Sequence, residues 1–183
     1  MPSVRPELRL SPRDRPCRAH CSFDAAAALF SAEFELAGPE PAPRWVEQVE
    51  RGLGIRARTM RLVLGDLDIT FAPPGQLVAV DMRTSPTLWQ RARAQVPAEA
   101  PALWFDPVVE FDDNELCVLD VAAVTSWDPD ARALMLRFGG GEVDAPLRWF
   151  ALADNVYAGL DAGARLCELM FTRVGQGPAP GVH

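Results

Sequence analysis

The chain has no lysine, and all 18 of its Lys-plus-Arg positions are arginine. That excludes a lysine Schiff base of the pyridoxal kind and the lysine of a standard phosphate-binding loop. Histidine is scarce, with only His20 and the last residue, His183. A Ser-His-Asp hydrolase would have to recruit His20, and no Gly-x-Ser-x-Gly turn is present to offer a serine. No apolar run reaches the roughly eighteen residues of a membrane span, and no charged-then-apolar leader is visible. The expected compartment is therefore the cytoplasm, with the four cysteines as free thiols rather than two disulfides. A net charge of −7 argues against a general nucleic-acid binder, which needs a basic surface.

What is present is a chain that is 49% hydrophobic, enough to bury a core as one domain or two small tandem units. Its richness in Ala, Pro, Gly and Arg resembles proteins of high-GC bacteria. Residues 1–20, with Arg5, Arg9, Arg13, Arg15 and Arg18, read as a flexible Pro/Arg-rich arm, and residues 175–183 as a flexible tail.

One pattern recurs three times: an aromatic or Leu, a polar turn, a Leu, then alternating apolar residues. It runs through Phe71–Asp81, Phe111–Asp120 and Leu160–Met170. Period-two alternation around a Gly, Asn or Pro turn predicts a β-hairpin in each. Alternation also predicts faces. Val78, Val80 and Met82 should share the buried side with Cys117, Leu119 and Val121 and with Cys167, Leu169 and Phe171. Cys117 and Cys167 would then hold equivalent core positions.

Two short helices are expected. One spans 44–52, from Arg44 with Trp45, Val46 and Val49 on one side and Gly52 as its stop. The other spans 86–96, with Ser85 as N-cap, Pro86 at the first position and Pro97 beyond its end. Pro97 to Pro101 is the expected boundary between a first β unit, 21–97, and a second, 102–174. Phe23-Asp24 through Phe30 reads as a degenerate copy of Trp127-Asp128 through Met135, and Met60–Asp66 leads into its hairpin as Trp149–Asp154 leads into another. The expected fold is thus mainly β (α+β): tandem antiparallel hairpin units, duplicated, forming a sheet sandwich or barrel. Gly139-Gly-Gly141 is the expected turn of a further hairpin.

The segment Trp127-Asp128-Pro129-Asp130-Ala131-Arg132-Ala133-Leu134-Met135-Leu136, with Asp161-Ala-Gly163-Ala-Arg165-Leu166 after it, resembles a family of small bacterial β-rich domains of unknown function. Units of that family read Tyr-Asp-Pro-Glu-Ala-Asp-Ala-Leu-Tyr-Ile before an Asp-Gly hairpin. The chain departs from it with Trp for Tyr, with Arg132 in place of an acid, and with Met170 where a closing acid would fall. The resemblance implies a small β-rich fold and transfers no catalytic residue.

Candidate chemistry rests on few side chains. Asp81, Asp120 and Glu168 fall on the strand face opposite the core, where a carboxylate beside another could act as acid or base. Cys17, His20 and Cys21 are the one cluster of zinc-ligand types, although without paired Cys-x-x-Cys spacing. Asp112 to Glu115 offers oxygen donors without the spacing of a calcium loop. Trp89, Trp104, Trp127 and Trp149 are core plugs or the walls of an apolar pocket. These features point first to a non-catalytic binding or interaction protein, inhibitor- or immunity-like or self-assembling, without cofactor, nucleic acid or membrane. Its acidic surface would suit a basic protein partner or a second copy. The alternative is a cofactor-free enzyme or small-molecule binder with a Trp-lined pocket and a strand carboxylate; zinc at Cys17, His20 and Cys21 is a third reading.

Overall fold

A computed structural model describes residues 5–35, 59–72, 75–139 and 146–175. The described chain is mainly β. Its strands are β1 (Glu7–Leu8), β2 (Ala19–Asp24), β3 (Leu29–Phe34), β4 (Met60–Leu64), β5 (Leu67–Ala72), β6 (Gln76–Arg83), β7 (Gln90–Arg91), β8 (Pro107–Val108), β9 (Leu116–Leu119), β10 (Ala123–Asp128), β11 (Ala133–Phe138), β12 (Arg148–Ala153), β13 (Val156–Leu160) and β14 (Leu166–Phe171). They form two open six-stranded sheets, ordered β2-β3-β6-β5-β4-β9 and β12-β13-β14-β11-β10-β7, and a β1-β8 ribbon.

Both sheets repeat one connection. A hairpin (β2-β3, β10-β11) is followed by a three-strand meander (β4-β5-β6, β12-β13-β14) whose last strand returns beside the hairpin's second strand. That is Greek-key order. Local chemistry repeats with it. Asp24 Oδ1 accepts the N–H groups of Ala26 and Ala27, and Asp128 Oδ1 those of Asp130 and Ala131. Ala28 and Arg132 then close the two turns at φ 50° and 49°. Each meander also carries a bulge at the same place, since Val78 and Cys167 are skipped between paired neighbours.

The sheets share one core. Phe30 of β3 meets Phe171 of β14 edge-to-face at 4.8 Å, and both are fully buried beside Phe23, Leu62, Phe71, Leu134, Phe138 and Leu160. Each such side chain contributes on the order of 1.5–3 kcal/mol when fully buried. Trp89 closes one end, 4.8 Å from Phe23 and 5.7 Å from Trp127, two residues that hold corresponding positions in β2 and β10. At another margin Gly75 has φ 126°, and a Cβ there would stand 2.6 Å from the Phe105 carbonyl oxygen, so only glycine fits.

Several expectations are corrected. The 86–96 helix is a single 3-10 turn, Pro86–Leu88, after which Trp89 is extended at φ −79°, ψ 131°. Packing of Trp89 and pairing of β7 with β10 override the start signal at Ser85-Pro86. The 44–52 helix lies outside the described residues. The Asp112–Glu115 turn forms, but β9 then pairs in parallel with β4, so Phe111–Asp120 is not a hairpin. Gly139 does not lead into a hairpin either, because β11 is flanked by β10 and β14 while β12 lies at the far edge. The bulges also displace the predicted faces: Leu77 and Leu166 are buried in the core, whereas Val78 is half-buried.

The N-terminal segment is a packed strap over its described part, residues 5–18. Leu8 and Cys17 are buried, Leu8 N–H donates to the Ala164 carbonyl at 2.9 Å, and Arg13 N–H donates to that of Ala102 at 3.0 Å. Among the described residues no helix is long and apolar enough to cross a membrane.

Candidate functional site

The corresponding sheets differ most on their outer faces. Across the second sheet one row runs Trp149, Gly159, Glu168, Arg137, Val124, each opposite the next. The matching row of the first sheet is Arg61, Thr70, Ala79, Glu33, His20. In the neighbouring row Tyr157, Met170, Met135 and Ser126 stand where the first sheet has Asp68, Asp81, Ser31 and Ser22. One face is polar. In the second sheet these two rows are largely apolar and carry one carboxylate and one guanidinium.

A segment following β7 covers part of that second face. It is held by Ala92 N–H donating to the Trp127 carbonyl at 3.2 Å and by Ala94 N–H donating to Asp128 Oδ2 at 2.7 Å. Asp128 therefore ties the β10-β11 turn to the segment, and its three backbone donors, Ala94 first, hold the carboxyl below its ordinary pKa. Between this segment and the sheet lies a groove of about 680 Å³. Trp149, Leu147, Met135 and Met170 give it apolar surface, Gln90, Gln95, Arg93 and Arg137 polar rims, and Glu168 its acid.

Glu168 is only 6% exposed. Its Oε2 accepts from Arg137 Nη2 at 3.4 Å, and that guanidinium remains mostly in water. Burial pushes the Glu168 carboxyl above its ordinary value, and Arg137 only partly offsets the rise. The site can thus hold a proton on a desolvated carboxyl or receive a hydrogen-bond donor there.

The other predicted residues do not converge on this groove. Asp81 lies on the outer face of the first sheet and accepts a 2.7 Å hydrogen bond from Ser31 Oγ. Asp120 is exposed after β9. Trp89 and Trp127 pack at the core margin, and Trp104 receives Arg13 at 4.1 Å from its ring centre. Trp149 is the one predicted pocket tryptophan in the groove wall.

Cys17 and Cys21 are buried, with Cys17 Sγ donating toward the Leu152 carbonyl and Cys21 Sγ accepting from Asn155 Nδ2, each at 3.4 Å. His20 is exposed, on the other side of β2 from Cys21. Among the described residues no cluster of metal-ligand side chains forms. Asp112 turns its carboxylate onto the N–H groups of Leu116 and Asn114, which lower its pKa, Leu116 first.

Sequence reasoning missed Arg137 and Gly159. The signal was available: alongside Thr70 and Glu33 of the first sheet, Gly159 and Arg137 break the correspondence beside Glu168. No protein-family model matches the chain, and no curated protein matches it.

Proposed function

We propose that this chain is a binding protein built from a duplicated Greek-key unit, and that the second copy holds a small amphipathic molecule in its outer groove. The observation that carries the reading is the divergence of corresponding outer faces. Core-facing positions are apolar in both sheets, as packing requires, so the fold does not account for Met135, Met170 and Trp149 around a desolvated Glu168. The first sheet folds with Ser31, Asp81 and Arg61 at the corresponding places. The groove's volume falls in the range of small-molecule sites, and its apolar wall of Trp149, Leu147, Met135 and Met170 beside a polar rim fits a ligand with an apolar body and a polar end.

Titration with the neutral dye N-phenyl-1-naphthylamine tests this. Saturable binding should quench tryptophan emission, and Trp149→Phe should remove most of the quench while the protein stays folded. Absence of saturation, or an undiminished quench in Trp149→Phe, contradicts the reading.

A further inference from the structure

Two features of the groove carry a sign of charge. The first is Glu168, which is buried and accepts from a single guanidinium nitrogen of Arg137 at 3.4 Å. An ionised carboxylate has about four acceptor sites, so Arg137 uses a small part of what Glu168 offers. Arg137 is itself largely solvated, with its side chain 57% exposed, and screens the buried charge weakly. The second is Trp149. Its ring stands against Gly159, and Gly159 is the direct cross-strand neighbour of Glu168, so an indole and a carboxylate border the same space. Aromatic faces attract cations, tryptophan most strongly. The remaining groove cation, Arg93, is exposed on the covering segment, and its charge acts on Asp128.

We infer that the ligand carries an ammonium group beside an apolar body: the ammonium donates to Glu168 next to the indole of Trp149, and the body lies against Met135 and Met170. This rests on the groove being the binding site, and it adds the ligand's charge. No bond is made or broken. A cation adds a second partner to Glu168, whose acceptor sites Arg137 leaves mostly unused, whereas an anion would face the same buried carboxylate.

Calorimetric titration with 2-phenylethylamine, 2-phenylethanol and 3-phenylpropanoate separates the possibilities, because the three share an apolar body and differ in charge. The amine should bind at least about tenfold tighter than the alcohol, as expected for one hydrogen bond to a charged group, and the propanoate most weakly. Glu168→Gln should bring amine and alcohol within about twofold, chiefly by weakening the amine, as expected when one charged acceptor becomes neutral. Glu168→Asp should keep the order. An alcohol or propanoate that equals the amine, or an amine preference that survives Glu168→Gln, overturns the charge assignment. So does failure of all three to bind while N-phenyl-1-naphthylamine still saturates. Failure of the dye as well overturns the groove itself.

Discussion

The indole of Trp149 occupies the space that a side chain on Gly159 would fill. A Cβ at Gly159 would stand 3.2 Å from Cη2 and Cζ3 of the ring and 2.9 Å from Cδ1 of Leu147. In the first sheet the corresponding residue is Thr70, opposite Arg61, so no tryptophan stands there. The missing side chain is thus what seats Trp149 beside Glu168.

Gly159→Ala should displace Trp149 without touching the inner core. The expected cost is about 1–3 kcal/mol, the usual range for overpacking a filled site. Chemical denaturation would measure it, and a shift in tryptophan emission with weakened dye binding would locate it at the groove. Thr70→Ala should do neither.

Glu168→Gln should leave the protein as stable as the parent, or more so, at neutral pH. The carboxyl's folded pKa is raised, so the folded state holds its proton more tightly than the unfolded chain. Its charge therefore opposes folding above the raised value. That penalty is relieved as the pH falls through the folded pKa toward the ordinary carboxylate range. Melting temperatures across that interval should show parent and variant converging on acidification, after allowance for the lost Arg137 contact.

Asp128→Ala should destabilise more than Asp24→Ala, although both acids cap the same turn. Asp24 holds two turn N–H groups, whereas Asp128 holds two and the covering segment at Ala94. The difference should be about 1 kcal/mol or more, the net worth of one such bond to a charged acceptor. The Asp128 carboxyl is lowered in the fold, so its contribution is present above the ordinary aspartate value and is lost as pH falls through the folded pKa. Asp128→Ala should flatten that acid limb.

Thiol reactivity should be low in the folded protein at pH 8. All four cysteines are buried, and burial pushes the Cys21 thiol up to about 12 and raises Cys17 and Cys117. Little thiolate is then available at these three to attack a disulfide reagent, and Cys167 is shut off from the reagent by its burial. Reaction with Ellman's reagent should be slow until denaturant is added and then reach four equivalents.

The β character and two of the three hairpins were legible because their signals are local. The Phe71 and Leu160 patterns fold through turns that neighbouring residues close, as Asp161 does by accepting from the Gly163 and Arg165 N–H groups. The turn at Asp112 was legible for the same reason. The partner of β9 was not, because a parallel pairing with β4 is set by residues about fifty positions away. Strict alternation failed at Val78 and Cys167, where one extra residue reverses the faces. The Ser85-Pro86 start was a true local signal, and the packing of Trp89 against Phe23 and Trp127 ended it after one turn.

Glu168 and Trp149 were both legible as candidates, one from its strand face and one from its residue type. Their proximity was not, since it passes through Gly159 on a third strand. Asp81 and Asp120 shared the same sequence signature as Glu168, but neither reaches this groove.

Methyl spectra of protein labelled at methionine test the central claim most directly, because the four described methionines report on different places. Met135 and Met170 line the groove, Met82 is in the shared core, and Met60 packs against that core from β4. On addition of 2-phenylethylamine the resonances of Met135 and Met170 should shift and saturate together while Met60 and Met82 stay in place. Shifts at Met60 or Met82 alone, or none at Met135 and Met170 at saturating amine, would contradict the groove as the binding site of this ligand.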